Sequence, residues 1–150
     1  MSCTTRPPRE GEKDGVNYHF LTGEEFADRV VNGEMLEATC FNDWFYGTGY
    51  ESLRSDCVNI GVFNPTGVES LMAHPDVLVR VFYVRASDKE RLLRQLNRET
   101  DPDVAEIIRR YTADMIDFAD IDFPHLELWN NTRSDFDANI EYITNDIASI

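Results

Sequence analysis

Lysine is scarce in this chain of 150 residues: Lys13 and Lys89 are the only two, and 28 acidic residues against 14 basic ones give a formal net charge of −14. A negative field of this size repels the phosphates of nucleic acids, so we expect no nucleic-acid partner. We interpret the acidic surface as a source of solubility. The alternative is an acidic face that mimics nucleic acid or docks on a basic partner.

Cysteine and histidine are also few, with three of each, and no two cysteines form a C-x-x-C pair. This pattern predicts neither a disulfide framework nor a metal site. No apolar run is long enough to span a bilayer, and residues 1–14 lack the apolar core of a signal peptide. We therefore expect a cytoplasmic protein without a membrane partner.

The first half of the chain predicts an extended or looping segment followed by short elements of both kinds. They are a strand at 18–22, a helix that ends near 32–33, and a hairpin formed by 35–41 and 44–48. Thr22 and Glu25 have the spacing of a capping box at the helix start. Asn42 and Asp43 form the expected hairpin turn.

The second half alternates strands with helices. Residues 57–63 and 77–84 are apolar and β-branched runs, which predict strands covered on both faces. The other predicted elements are helices at 66–72, after Ser87, from Pro102 through Phe118 and at 136–147, with a strand at 125–129. This alternation is typical of parallel α/β layering, with the hairpin region as an inserted lobe. With no linker in the chain, we expect a single domain over 1–150.

The basic residues of the N-terminal segment are candidates for binding an anion. Arg6 and Arg9 lie three residues apart on a segment stiffened by two prolines, so both guanidinium groups can bind one phosphate. The alternative is a solvated basic tip. Tyr18 and Tyr46 each lie near a turn, where a phenol either donates a hydrogen bond or packs against its neighbours.

Glu37 interrupts an otherwise apolar strand at 35–39. A carboxylate in this position either faces solvent or accepts hydrogen bonds inside a pocket. Guanine suits the second case, because the hydrogens on its N1 and N2 atoms form an adjacent donor pair that matches the two oxygens of a carboxylate.

The N-terminal residues Ser2-Cys3-Thr4-Thr5-Arg6-Pro7-Pro8-Arg9-Glu10-Gly11-Glu12 closely resemble the signature S-x-T-T-R-x-P-R-x-G-E of the guanylate kinase family. Further matching positions are Gly15, Tyr18, Phe20, Glu37, Tyr46-Gly47-Thr48 and, more weakly, the chain as far as Asn130. The resemblance implies an α/β fold of the P-loop kinase type, a parallel sheet with flanking helices. It also implies a small antiparallel lobe for a nucleoside monophosphate at about 1–50, followed by a core and a lid remnant at about 51–150.

The resemblance also implies roles for individual residues. Those implied to bind phosphate are Arg6, Arg9, Tyr18 and Tyr46; those implied to bind guanine are Ser2, Glu37, Thr48 and Asn64. Arg98, Arg109 and Arg110 resemble the lid arginines that reach the transferring phosphates. Thr48 replaces the usual serine and keeps its hydroxyl, whereas Asn64 replaces an aspartate, so selectivity for guanine is expected to be softer.

The departures from the family concern the ATP side. Family members carry a strand and a G-x-x-x-x-G-K-[ST] loop upstream of the signature, whereas here neither lysine follows a glycine. Val62 stands where an aspartate that supports Mg²⁺ is expected. We therefore expect no confident catalytic residue, no metal ligand and no competent kinase from this chain alone. ATP and Mg²⁺ apply only if an upstream segment supplies the loop.

Loss of that segment also removes a central strand, so the sheet is expected to close up or to be completed by a protein partner or by self-association. The function we favour is a module that binds GMP, dGMP or a related monophosphate without phosphorylating it. One alternative is an interaction module that grips a phosphopeptide or an acidic partner. Another is a truncated active guanylate kinase, which would convert ATP and GMP to ADP and GDP.

Overall fold

The computed structural model describes residues 1–41, 43–98 and 100–149, and the expected turn residue Asn42 lies outside them. The chain divides into two compact units, Met1–Val79 and Arg80–Ile150. The single domain with a lobe ending near residue 50 stays a prediction.

The first unit contains one four-stranded sheet. Its strands are β1 (Ser2–Thr4), β2 (His19–Phe20), β3 (Met35–Phe41) and β4 (Trp44–Gly49), in the order β2-β1-β4-β3. β3 and β4 form the antiparallel hairpin that the alternation predicts, while β1 is antiparallel to β4 and parallel to β2. β1 lies in the segment expected to be a loop, because three residues carry too little pattern to indicate a strand.

A β-bulge interrupts the hairpin near the start of β3. Met35 pairs with Gly49 and Glu37 pairs with Thr48, so Leu36 is the additional residue on β3. A regular strand would turn two consecutive side chains to opposite faces. Leu36 and Glu37 are both buried, and the bulge sets the register that places Glu37 opposite Thr48.

The helices of the first unit begin where the sequence predicts them. α1 (Gly23–Val31) starts with the complete Thr22–Glu25 capping box and packs against β3. Phe26 anchors this helix, because its buried ring stacks on Phe45 with the centroids 5.5 Å apart. A short 3-10 helix (Tyr50–Ser52) and α2 (Pro65–Met72) follow.

The strand predicted at 57–63 is wrong. This segment has no regular secondary structure, and its β-branched side chains are exposed, with Val58 at 55%, Ile60 at 82% and Val62 at 100%. The apolar run indicates a strand that is covered on both faces, but a strand also needs a hydrogen-bonded neighbour. No strand in the described part of the first unit pairs with it.

The second unit has a two-stranded parallel sheet and three helices. Its elements are β5 (Phe82–Arg85), α3 (Asp88–Leu96), α4 (Val104–Asp117), β6 (Leu126–Trp129) and α5 (Arg133–Ala148). β5 and β6 pair in parallel over four residues, so the strand predicted at 77–84 is shorter and starts at Phe82. Ser87 caps α3 as predicted. No helix among the described residues is both long and apolar enough to cross a membrane.

Candidate functional site

Three polar side chains form a row across the sheet of the first unit. The strand register places Glu37 of β3 opposite Thr48 of β4, and Thr48 opposite Ser2 of β1. Residues directly opposite each other share a face, so all three point to the same side. Ser2 Oγ and Thr48 Oγ1 are 3.3 Å apart, and Glu37 and Thr48 are only 7% and 8% exposed.

The buried position of Glu37 disfavours the charged form of its carboxyl group. Burial raises the pKa of Glu37 above its ordinary value of 4.5, and hydrogen bonds from the side chain and backbone of Thr48 oppose that rise. The structure gives Glu37 no ion pair with an arginine or lysine among the described residues. A ligand with two adjacent N–H donors would stabilise the ionised form, because hydrogen bonds to a carboxylate favour its charge.

The first turn of α2 borders the same space. Asn64 caps this helix, and its Oδ1 atom accepts a hydrogen bond of 2.9 Å from the backbone N–H of Gly67. A methyl group on Gly67 would lie 3.1 Å from Asn64 Oδ1 and 3.5 Å from Glu37 Oε2. The fold therefore brings Asn64 next to Glu37, although one lone pair of its carbonyl is already used by the helix cap.

Arg6 lies among aromatic rings and one carboxylate. Its guanidinium group is 5.8 Å from the ring centroids of both Tyr18 and Phe20. Arg6 Nη2 lies 3.0 Å from Glu12 Oε1 and 2.9 Å from Glu12 Oε2, and Nη1 donates to the carbonyl of Pro7 at 2.7 Å. These contacts hold the long side chain in one orientation while it remains charged.

Glu12 was not predicted as a functional residue, yet it connects the two arginines. Its Oε2 atom accepts a hydrogen bond of 2.7 Å from the backbone N–H of Arg9, and its oxygens also bind Arg6. The pKa of Glu12 is lowered, mainly by the hydrogen bond from the Arg9 amide. The hydrogen bond from the Arg6 side chain and the positive charges of both arginines lower it further. The available signal was an acidic residue three positions after Arg9, the spacing of a local side-chain-to-backbone bond.

Arg9 itself is exposed, and its guanidinium group has no carboxylate partner among the described residues. Arg98 is the one other arginine without a carboxylate partner within residues 1–41, 43–98 and 100–149. Each of the other arginines forms an ion pair with at least one carboxylate. In a chain with a net charge of −14, an unpaired guanidinium group three residues along the chain from a second arginine is a candidate anion site.

Tyr18 and Tyr46 complete the set of residues predicted to bind phosphate. Their half-buried rings meet edge to face with the centroids 6.2 Å apart. Tyr46 lies two residues before Thr48 on β4, so both side chains point to the same face of the sheet, about 7 Å apart along the strand. We call Arg6, Arg9, Tyr18 and Tyr46 the arginine–tyrosine cluster; it adjoins the Glu37 row through Tyr46.

The three predicted lid arginines lie in the second unit. Arg109 and Arg110 are neighbours on α4, and both bind Glu106: Arg109 Nε at 2.6 Å and Arg110 Nε at 2.7 Å. These two hydrogen bonds lower the pKa of Glu106 to about 2. Arg98 lies just after α3 and is exposed. Among the described residues, no group of three acidic, histidine or cysteine side chains is placed to hold a metal ion.

Comparisons with known proteins agree on one family. A family model described as guanylate kinase matches residues 1–141. A guanylate kinase from Idiomarina loihiensis is 34% identical over 130 residues, which cover 82% of this chain and 61% of that protein. A guanylate kinase from Clostridioides difficile is 33% identical over 118 residues, which cover 75% of this chain and 57% of the relative.

The fold has a counterpart among solved structures. The crystal structure of guanylate kinase from Anaplasma phagocytophilum aligns with a TM-score of 0.70 at 22% identity, over 97% of this chain and 73% of that chain. The mixed α/β fold therefore resembles that of a guanylate kinase. The chain spans less than two thirds of the length of the curated relatives named above.

Proposed function

The chain belongs to the guanylate kinase family, and from this premise we propose that its first unit binds GMP, dGMP or a related nucleoside monophosphate. The family resemblance deduced from the N-terminal motif is confirmed. The ligand and the roles of individual residues are proposals supported by the geometry of the site.

The buried carboxylate of Glu37 is the observation that carries this proposal. Its burial raises the pKa of Glu37, so the charged form is less favourable than in an exposed carboxyl group, and hydrogen-bond donors from a ligand would stabilise it. The N1 and N2 hydrogens of guanine supply two such donors side by side. Thr48 and Ser2 lie in the same row across the sheet and offer hydroxyl groups to the rest of the base.

The phosphate would bind at the arginine–tyrosine cluster. The guanidinium group of Arg9 has no carboxylate partner among the described residues, and that of Arg6 is held by Glu12 and by aromatic rings. The phenol groups of Tyr18 and Tyr46 can donate further hydrogen bonds. A nucleoside monophosphate would span both parts of the surface, with its base at Glu37 and its phosphate at Arg9.

Calorimetric titration with GMP, IMP, AMP and UMP tests the proposal. We expect GMP to bind with a dissociation constant below 1 mM and AMP and UMP to bind at least about tenfold more weakly, because their bases lack the adjacent donor pair. No heat with GMP at millimolar concentration would overturn the proposal. A phosphoserine peptide is included, and a preference for it over GMP would favour the interaction module instead.

We further propose that this chain alone does not transfer a phosphoryl group. Its 150 residues contain no G-x-x-x-x-G-K-[ST] sequence, and Val62 replaces the expected aspartate. Phosphoryl transfer depends on charge stabilisation around the donor phosphates, which that loop and a supported Mg²⁺ provide. A coupled assay of ADP release with ATP, Mg²⁺ and GMP should remain at background. Turnover of about 1 s⁻¹ or faster, which is typical of kinases, would contradict this.

The exposed segment 57–63 supports a proposal about partners. We propose that a β-strand from another polypeptide, either a second copy or a different protein, covers Val58, Ile60 and Val62 in the assembled protein. Light scattering on the purified chain tests self-association. If association occurs, Ile60→Asp should abolish it. The matched control Val31→Asp, at an exposed position of α1, should not.

A further inference from the structure

Gly67 is a buried glycine in the first turn of α2. It has no positive φ angle, so its backbone conformation is open to any residue. Alanine is favoured over glycine at helical positions. Neither the backbone nor helix propensity therefore explains why the position lacks a side chain.

The surroundings of Gly67 offer an explanation. A methyl group there would lie 3.1 Å from Asn64 Oδ1, 3.4 Å from Phe63 Cβ and 3.5 Å from Glu37 Oε2. A ligand N–H that binds Glu37 must come within about 3 Å of the same Oε2 atom. The methyl group and the ligand edge would then compete for the space beside this oxygen.

Gly23 provides an internal comparison. It is also a glycine at the start of a helix, but a methyl group on it would meet no atom within 4 Å. Because both residues are glycines in the first turn of a helix, substitution by alanine should raise the helix propensity of both by a similar amount. Only at position 67 does the new methyl group approach the candidate site.

We propose that Gly67 is a specificity-determining residue, whose missing side chain leaves room for the planar edge of a base against Glu37 Oε2. This inference rests on the proposed function and deepens it. The ligand class it implies is a planar base that presents adjacent N–H donors at its edge. A phosphate compound without a base would not sense the residue.

The test compares Gly67→Ala with Gly23→Ala and the wild type, using GMP and ribose 5-phosphate in calorimetric titrations. We expect Gly67→Ala to weaken GMP binding at least tenfold while ribose 5-phosphate binding stays within twofold. Gly23→Ala should leave both unchanged. GMP binding within twofold of the wild type in Gly67→Ala, or an equal loss of both ligands, would overturn the inference.

A second measurement keeps the inference testable if Gly67→Ala does not fold. In amide NMR spectra of the wild type, GMP should shift the Gly67 resonance and ribose 5-phosphate should not. Absence of a GMP-specific shift in a protein that binds GMP would overturn the inference alone. Absence of any GMP binding to the wild type would instead overturn the proposed function, and this inference with it.

Discussion

Glu37 in the first unit and Glu106 in the second unit show opposite electrostatic behaviour. Burial raises the pKa of Glu37, whereas hydrogen bonds from two arginines lower the pKa of Glu106 to about 2. Glu106 is neutralised by residues of its own helix and needs no further partner. In the described part of the chain, the hydroxyl and backbone of Thr48 are the only hydrogen-bond donors to the buried Glu37, so donors from a ligand would stabilise its charged form.

The arginines also differ in pairing, although the difference does not follow the two units: Arg6 of the first unit is paired with Glu12, and Arg98 of the second unit has no carboxylate partner among the described residues. In the second unit, Arg109 and Arg110 share one carboxylate, and Arg80 and Arg85 each bind their own. In the first unit, Arg9 has no such partner among the described residues. The number of charges in a unit therefore says little about where an anion binds, because internal pairing decides which groups are available.

The largest expected effect is that of Glu37→Gln. Loss of two charge-assisted hydrogen bonds should weaken GMP binding by roughly 100-fold. The matched control Glu106→Gln should change GMP affinity less than about twofold. Calorimetry measures both, and an equal loss in the two variants would remove the contrast between the two glutamates.

Glu37→Gln should also raise the free energy of unfolding at neutral pH. The folded-state pKa of Glu37 is raised, so ionisation destabilises the folded protein at every pH above that value. This penalty declines as the pH falls and is absent below about 4.5, the ordinary value. Urea unfolding at pH 7 and pH 4 measures it; lower stability of the variant at pH 7 would contradict the pKa argument.

The next largest effect is expected for Arg9→Ala. One guanidinium–phosphate contact is lost, so GMP binding should weaken by roughly 20-fold, and less at high salt. Guanosine, which has no phosphate, should bind both proteins equally. The control Arg133→Ala removes an exposed arginine of α5 that pairs with Asp137 and should leave GMP binding unchanged.

The pH dependence of binding gives a further prediction. GMP affinity of the wild type should decrease by about tenfold per pH unit below the raised pKa of Glu37, because the protonated carboxyl group accepts poorly from the base. The phosphate of GMP has its own titration, with a pKa of about 6. Glu37→Gln separates the two effects, since it should retain only the decrease caused by the phosphate. Parallel pH profiles of the two proteins would contradict the role of Glu37.

The smallest effect is expected at a helix cap. Asn64→Ala removes the hydrogen bond to Gly67 and should lower the free energy of unfolding by about 1 kcal/mol. It should also weaken GMP binding, whereas Asn64→Asp keeps the cap. Thr132→Ala removes the cap of α5 in the second unit and should lower stability by a similar amount without affecting GMP. Thermal unfolding and calorimetry compare the three.

Local chemistry made part of the fold predictable. The Thr22–Glu25 capping box, the Ser87 cap and the alternating hairpin strands are encoded within a few residues, and the structure contains all of them. The strand predicted at 57–63 failed because pairing is not local: an apolar run does not reveal whether a neighbouring strand is present.

The candidate site was also predictable only where its residues are encoded by local sequence. Arg6, Arg9 and Glu37 were identified from spacing and from the family motif, and their roles remain predictions. The bulge at Leu36 could not be foreseen, because the alternation of the strand gives no signal of an extra residue. The position of Gly67 beside Glu37 depends on how α2 packs against β3, which no motif encodes.

The exposed segment 57–63 also affects how the purified protein will behave. Alternating β-branched side chains on an unpaired segment are a template for aggregation, and the net charge of −14 opposes it by repulsion between molecules. That repulsion vanishes near the isoelectric point of about 4.4. We therefore expect the chain to precipitate most readily close to this pH, and Ile60→Asp should widen the range in which acid titrations remain in solution.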